Sequence, residues 1–90
     1  MKNINDLTGV DFEECVDPVT DQLTNIPQIA VLVEKVEEIA KLFYNGSFVS
    51  TNFITYLSYY LRRNTIDNTT QQLETFGAQV LSNINLKLNE

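Results

Sequence analysis

Five carboxylates crowd the early part of this chain: Asp11, Glu13, Glu14, Asp17 and Asp21. Carboxylates this close together are the raw material of a hard-cation site. A calcium loop, however, alternates its ligands and needs a glycine at its sharp turn, and no glycine lies between Asp11 and Asp17. A solvated acidic segment is therefore the expected reading, with no metal site. A second chemistry follows if residues 13–21 are helical. Glu13, Asp17 and Asp21 then stack at i, i+4 and i+8, about 6 Å apart, at a cost of roughly 0.2–0.5 kcal/mol per like-charged pair. That spacing is close to the phosphate spacing of a nucleic-acid strand, so such a stripe can imitate DNA and occupy a basic groove on another protein. Asp17-Pro18 is expected to interrupt the stripe, because proline breaks the helix.

Other catalytic and binding chemistry is thin. The chain has no histidine and one cysteine, so no His-based triad and no internal disulfide is expected. Gly9, Gly46 and Gly77 are too far apart to form a phosphate loop. Carboxylate pairs can do acid–base work, but nothing in the pattern marks a pair as buried. The expectation is a non-enzymatic protein without a cofactor. The acidic neighbours of Cys15 raise its pKa rather than activate it, so it reads as a small buried hydrophobe. The aromatic residues concentrate in Phe48, Phe53, Tyr56, Tyr59 and Tyr60. Tyr56 and Tyr60 fall on an inward stripe and read as core. Tyr59 falls off it, beside Arg62 and Arg63. An exposed tyrosine next to two arginines is the composition of a protein-contact patch; the plainer alternative is ordinary packing at a helix end.

Charge narrows the partner. The 90 residues carry a net charge of −6. Residues 1–40 hold nine acids against Lys2 and Lys35, a net of −7, whereas residues 41–90 hold three acids against Lys41, Arg62, Arg63 and Lys87, a net of +1. Binding nucleic acid through its phosphates needs clustered cations, so direct nucleic-acid binding is not expected. The longest unbroken apolar run, Ile29 to Val33, is far too short for a transmembrane segment. No secretory signal follows Lys2, and the chain reads as cytoplasmic.

The elements that must position these residues are helical. Ile29, Leu32, Val36, Ile39 and Phe43 recur at spacings of three and four, and Val49, Phe53, Tyr56 and Tyr60 repeat the pattern, widened by Ile54, Leu57 and Leu61. Asn45-Gly46-Ser47 separates the two, with Gly46 in the left-handed closing position and Ser47 as the next cap. Asp17-Pro18 suits a helix start, Asp at the N-cap and Pro at the first helical position. Pro27 is expected to break or sharply kink the helix at Asn25–Pro27. Asp67, Asn68 or Thr69 is expected to cap the last helix, Thr69 and Gln72 having capping-box spacing, ahead of an inward set of Leu73, Phe76, Val80, Ile84 and Leu88. Gly77 costs that helix about 1 kcal/mol relative to alanine, so a neighbouring helix is expected to approach there. Thr8-Gly9 reads as a turn, and residues 1–17 as a flexible or short-helical arm. The fold predicted is all-α, a single-domain antiparallel bundle of four helices, roughly 18–25, 27–44, 48–64 and 68–88, with short connections.

From Ile29 to Leu81 the chain resembles the class II bacteriocin immunity proteins of Gram-positive bacteria. The residues that carry the resemblance are the apolar helix Ile29-Ala30-Val31-Leu32-Val33-Glu34-Lys35-Val36, a short break, and the Tyr-rich helix Phe53-Ile54-Thr55-Tyr56-Leu57-Ser58-Tyr59-Tyr60-Leu61-Arg62-Arg63. The turn Asn64-Thr65-Ile66 and a last helix through Leu73 and Phe76 complete it. The chain departs from many members in being acidic. The resemblance implies an antiparallel four-helix bundle that protects a membrane receptor, a sugar permease, from the producer's own peptide. The function expected is thus a cytosolic module that binds another protein. One alternative is a phage-type inhibitor or nucleic-acid mimic acting through the acidic half. Another is an oligomeric structural or assembly protein.

Overall fold

The computed structural model describes residues 2–46, 52–65 and 67–90. Among them run four α-helices, α1 (Gly9–Val16), α2 (Ile29–Tyr44), α3 (Phe53–Asn64) and α4 (Thr70–Leu88), with 3-10 turns at Ile4–Asp6 and Asp17–Gln22. Cross-chain contacts fix their directions. Lys35 meets Tyr60 and Phe43 meets Phe53, so α2 and α3 are antiparallel. Arg62 meets Thr70 and Ile54 meets Gly77, which makes α3 and α4 antiparallel as well. Glu14 meets Lys87, Cys15 meets Asn83 and Gln22 meets Gln79, which lays α1 and its 3-10 extension antiparallel to α4. The result is an up-down-up-down all-α bundle in which α1 packs on α2 and α4, diagonal to α3.

The first helix lies earlier than the sequence suggests. Thr8 is not a turn residue: its side chain accepts the Asp11 N–H at 3.2 Å while the Asp11 carboxylate accepts the Thr8 N–H at 2.8 Å. This reciprocal cap starts α1 at Gly9. The expected helix over 18–25 does not form. Pro18 has no N–H for the Glu14 carbonyl, so the α ladder ends with the Asp17 N–H on the Glu13 carbonyl. Asp17 therefore closes α1 instead of capping a later helix, and the chain tightens into the 3-10 turn. Residues 2–16 are ordered, and they sink Ile4, Leu7, Phe12, Cys15 and Val16 into the core. Val19 and Leu23 follow them inward, with Ile26 packed at the edge.

The break before Pro27 is where it was expected. Asn25 takes a left-handed φ of +52°, a conformation that asparagine tolerates better than most residues. Helix α2 begins at Ile29, two residues later than predicted. Leu32, Val36 and Ile39 are buried, Ile29 and Phe43 pack at the margin, and Lys41 pairs with Glu37 at 2.8 Å. Gly46 has φ +79°, the left-handed close its position required.

Helix α3 begins at Phe53, not at 48. Asn52 is extended and accepts the Thr55 N–H at 2.8 Å, so it is the cap. Ser47, predicted in that role, lies outside the described residues, as do Phe48, Val49 and Ile66. The inward row of α3 is Phe53, Leu57 and Leu61, all fully buried. Tyr56, expected in the core, is 39% exposed, and Tyr60 is half-buried. The row spaced by four turns toward the core, and the two tyrosines sit one residue back, about 100° round the helix.

Helix α4 opens at Thr70 with the predicted capping box: the Gln72 N–H donates to Thr69 Oγ1 at 3.1 Å and the Thr69 N–H to Gln72 Oε1 at 2.7 Å. Leu73, Phe76, Val80, Ile84 and Leu88 are all buried. Gly77 is a close approach: a Cβ there would stand 3.4 Å from Ile54 Cγ2. At the far end of the bundle a buried Asn68 clamps the loop after the 3-10 turn. Its Oδ1 accepts the Thr24 N–H at 2.9 Å, and its Nδ2 donates to the Thr24 carbonyl at 2.8 Å.

Candidate functional site

Once Phe53, Leu57 and Leu61 face the core, the rest of α3 must face outward or sideways. That places Tyr56, Tyr59, Tyr60, Arg62 and Arg63 on one connected surface of the helix. Tyr59 is 68% exposed and forms its ridge. Antiparallel packing brings Lys35 of α2 to the same place, with Nζ 5.2 Å from the centroid of the Tyr60 ring. Arg63 lies over the Tyr59 ring, with Cζ 5.9 Å from its centroid. Both are within cation–π range.

A groove flanks the ridge on each side. The α2 side holds a groove of about 390 Å³ lined by Lys35, Tyr56, Tyr59, Tyr60, Arg63 and Asn64. The α4 side holds one of about 450 Å³ that includes Ser58, Leu73 and Glu74. There Arg62 Nη2 donates to Thr70 Oγ1 at 2.5 Å, which ties the guanidinium to the start of α4. Ser58 Oγ is buried beneath this second groove, and among the described residues it has no hydrogen-bond partner. The surface continues along α2 through Val31, which is 49% exposed beside Lys35 and Tyr60.

Sequence reasoning placed Tyr59, Arg62 and Arg63 on this surface, and the structure brings the three together. It missed Lys35, which is 24 positions from Tyr59 in the chain and had no local signal. It also assigned Tyr56 and Tyr60 to the core. Their aromatic character and helical spacing were read as burial, although Leu57 and Leu61 formed an equally good row.

The acidic residues take other places. Asp11 serves the α1 cap and lies 3.9 Å from Lys87; the hydrogen bond from the Thr8 backbone is the main reason its pKa is lowered. Glu14 pairs with Lys87, whose own pKa is raised chiefly by that hydrogen bond. Glu13, Asp17 and Asp21 are exposed. They share no α-helical row, because α1 stops at Val16 and a 3-10 turn repeats every three residues, not four. Among the described residues no group of three or more His, Cys, Asp or Glu side chains could hold a metal ion.

Cys15 is 1% exposed, and burial is the main cause that pushes its pKa from 9.0 to about 11. Its carbonyl, near the end of α1 where helix carbonyls lack partners, accepts Asn83 Nδ2–H at 2.9 Å. No described helix is long and apolar enough to cross a membrane. No family model, curated protein or solved structure matches the chain.

Proposed function

We propose that this chain is a non-enzymatic protein-binding module whose contact surface is the tyrosine–cation face of α3, completed by Lys35 of α2. The observation that carries the reading is the ridge at Tyr59: a 68%-exposed aromatic ring flanked by grooves on both sides, with Arg63 over the ring and Arg62 in the groove beside it. Tyrosine and arginine are the residues that most often dominate binding energy at protein interfaces. A tyrosine brings a large rigid contact area at small entropic cost. The named version of this reading is an immunity protein of the class II bacteriocin type, with a membrane permease as its partner. What supports that version is the resemblance of Phe53 to Arg63, since the Tyr-rich stretch that carries it is also the exposed face.

The acidic half is the competing surface, and a second copy of the chain is the competing partner. One experiment separates them. A photo-cross-linking amino acid is placed at position 59 or 63, and in parallel at 13 or 21, and the full chain is expressed in a Gram-positive host. Cross-links from 59 and 63 to a membrane permease, and none from 13 and 21, are the expected result. Cross-links from 13 and 21 alone would transfer the function to the acidic surface. Cross-links of the chain to itself would make it an assembly protein.

A further inference from the structure

We propose that the groove between α2 and α3 receives a carboxylate from an acidic segment of the partner protein. This names the partner chemistry of the binding face and rests on that reading. The lining of the groove carries the argument. It holds two cations, Lys35 and Arg63, and three phenols, yet among the described residues no carboxylate, in a chain whose acids outnumber its cations twelve to six. Arg63 makes no ion pair with the described residues; its neighbour is the Tyr59 ring. Lys35 has only the exposed Glu38 carboxylate, at 3.5 Å. By contrast, Lys41 pairs with the half-buried Glu37 at 2.8 Å, and Lys87 faces two acids, Glu14 and Asp11. The two cations of the groove are therefore held over ring faces, Arg63 with no ion pair among the described residues and Lys35 with one exposed acid at 3.5 Å. A guanidinium and an ammonium so placed match a carboxylate in charge and in hydrogen-bond direction, and the rings supply an apolar bed for the side chain that delivers it.

The net negative charge of the chain does not prevent this. The acids nearest the groove, Glu34 and Glu38, lie beside Lys35 on α2, and the acidic cluster of residues 11–21 belongs to α1 and its 3-10 extension, diagonal to α3. Exposed charges separated by more than a Debye length, about 8 Å at physiological salt, are largely screened. Within the groove an incoming acidic segment meets Lys35 and Arg63.

The test titrates the isotope-labelled full chain with two short synthetic peptides and follows the backbone amide signals by NMR. The peptides share their leucine and phenylalanine positions; one carries glutamate at the remaining positions and the other lysine. The expected result is signal shifts at Lys35, Tyr56, Tyr59 and Arg63 with the glutamate peptide only, and binding that weakens as salt is raised. The double variant Lys35→Gln/Arg63→Gln should weaken binding by about tenfold, the loss of a charge-assisted hydrogen bond. Lys41→Gln, which alters a cation paired elsewhere, should leave binding unchanged. No shifts at the groove, or equal binding of the lysine peptide, would overturn the proposal. So would clear preference for a phosphotyrosine version of the glutamate peptide. In each of these cases, cross-links from position 59 would still leave the broader binding reading standing.

Discussion

Cys15 and Asp11 set how single residues link this fold to pH. A thiol pushed up to about 11 by burial stays protonated in the native state after the unfolded chain has begun to ionise. Stability is therefore full below the ordinary thiol pKa and falls as pH rises from about 9 toward 11. The raised pKa of Tyr44, chiefly from burial, and of Lys87, chiefly from Glu14, act in the same direction. Urea unfolding across that range should show the decline, and Cys15→Ala should flatten part of it. In the folded protein Cys15 should react with an aromatic disulfide reagent only after unfolding; rapid labelling at neutral pH would contradict its burial. Asp11 works at the other end. Its carboxyl is held low chiefly by the Thr8 backbone N–H, so its contribution is present above the ordinary carboxylate range and lost as pH falls through the lowered value. The residue-scale lesson for function is Tyr59. Its ring is exposed and its backbone is ordinary helix, so Tyr59→Ser should change stability by no more than about 0.5 kcal/mol while removing the ridge from the proposed contact face.

At the scale of elements, three positions decide how the helices are joined. Gly46 has φ +79°, and no described residue comes within 4 Å of a would-be Cβ, so backbone strain sets the expected cost of substitution there. Gly46→Val should destabilise by about 1–2 kcal/mol, measured by thermal or urea unfolding. Gly77 is the opposite case: its backbone is helical, and the contact to Ile54 sits at ordinary van der Waals distance. Gly77→Ala should therefore gain up to about 1 kcal/mol of helix propensity, whereas Gly77→Leu should destabilise by pushing α3 away. Asn68 is a polar staple. Asn68→Ala would strand the Thr24 N–H and carbonyl, and the expected loss is about 1–3 kcal/mol. If that variant proved as stable as the parent, the loop after the 3-10 turn would not depend on the staple.

At the scale of the molecule, the core and the surface make separate demands. Phe12, Phe53 and Phe76 are completely buried and come from three different helices. Each Phe→Ala change should cost roughly 3–5 kcal/mol, a large share of the stability of a domain this small. Phe43 lies at the margin, in edge contact with Phe53 at 6.2 Å, and should cost less. Calorimetry on the four variants orders them; a small loss at Phe12 would show that α1 is not integral to the core. The surface is divided by charge, with α1 and its extension acidic and the outer face of α3 cationic and aromatic. Because α1 and α3 are diagonal in the bundle, the two regions face away from each other, and substitutions in one should be additive with those in the other.

Much of this was legible in the sequence because it depends on local chemistry. The inward row of α4, the Thr69–Gln72 cap, the left-handed Gly46 and the break before Pro27 each follow from spacing or from one residue's backbone limits. The exposed position of Tyr59 beside Arg62 and Arg63 was legible for the same reason. Two things were not. Thr8 and Asp11 form a reciprocal cap, and without recognising it the buried character of Phe12 and Val16 stayed hidden in a segment that read as a loose acidic arm. The choice between Tyr56–Tyr60 and Leu57–Leu61 as the buried row of α3 could not be made from periodicity, since both rows repeat every four residues. Tertiary packing made that choice, by burying the smaller aliphatic row and leaving the amphipathic tyrosines at the rim, where their rings pack and their hydroxyls stay near water. The same antiparallel packing brought Lys35 to the tyrosines, a meeting that no local pattern encodes because it depends on how two helices align along their lengths.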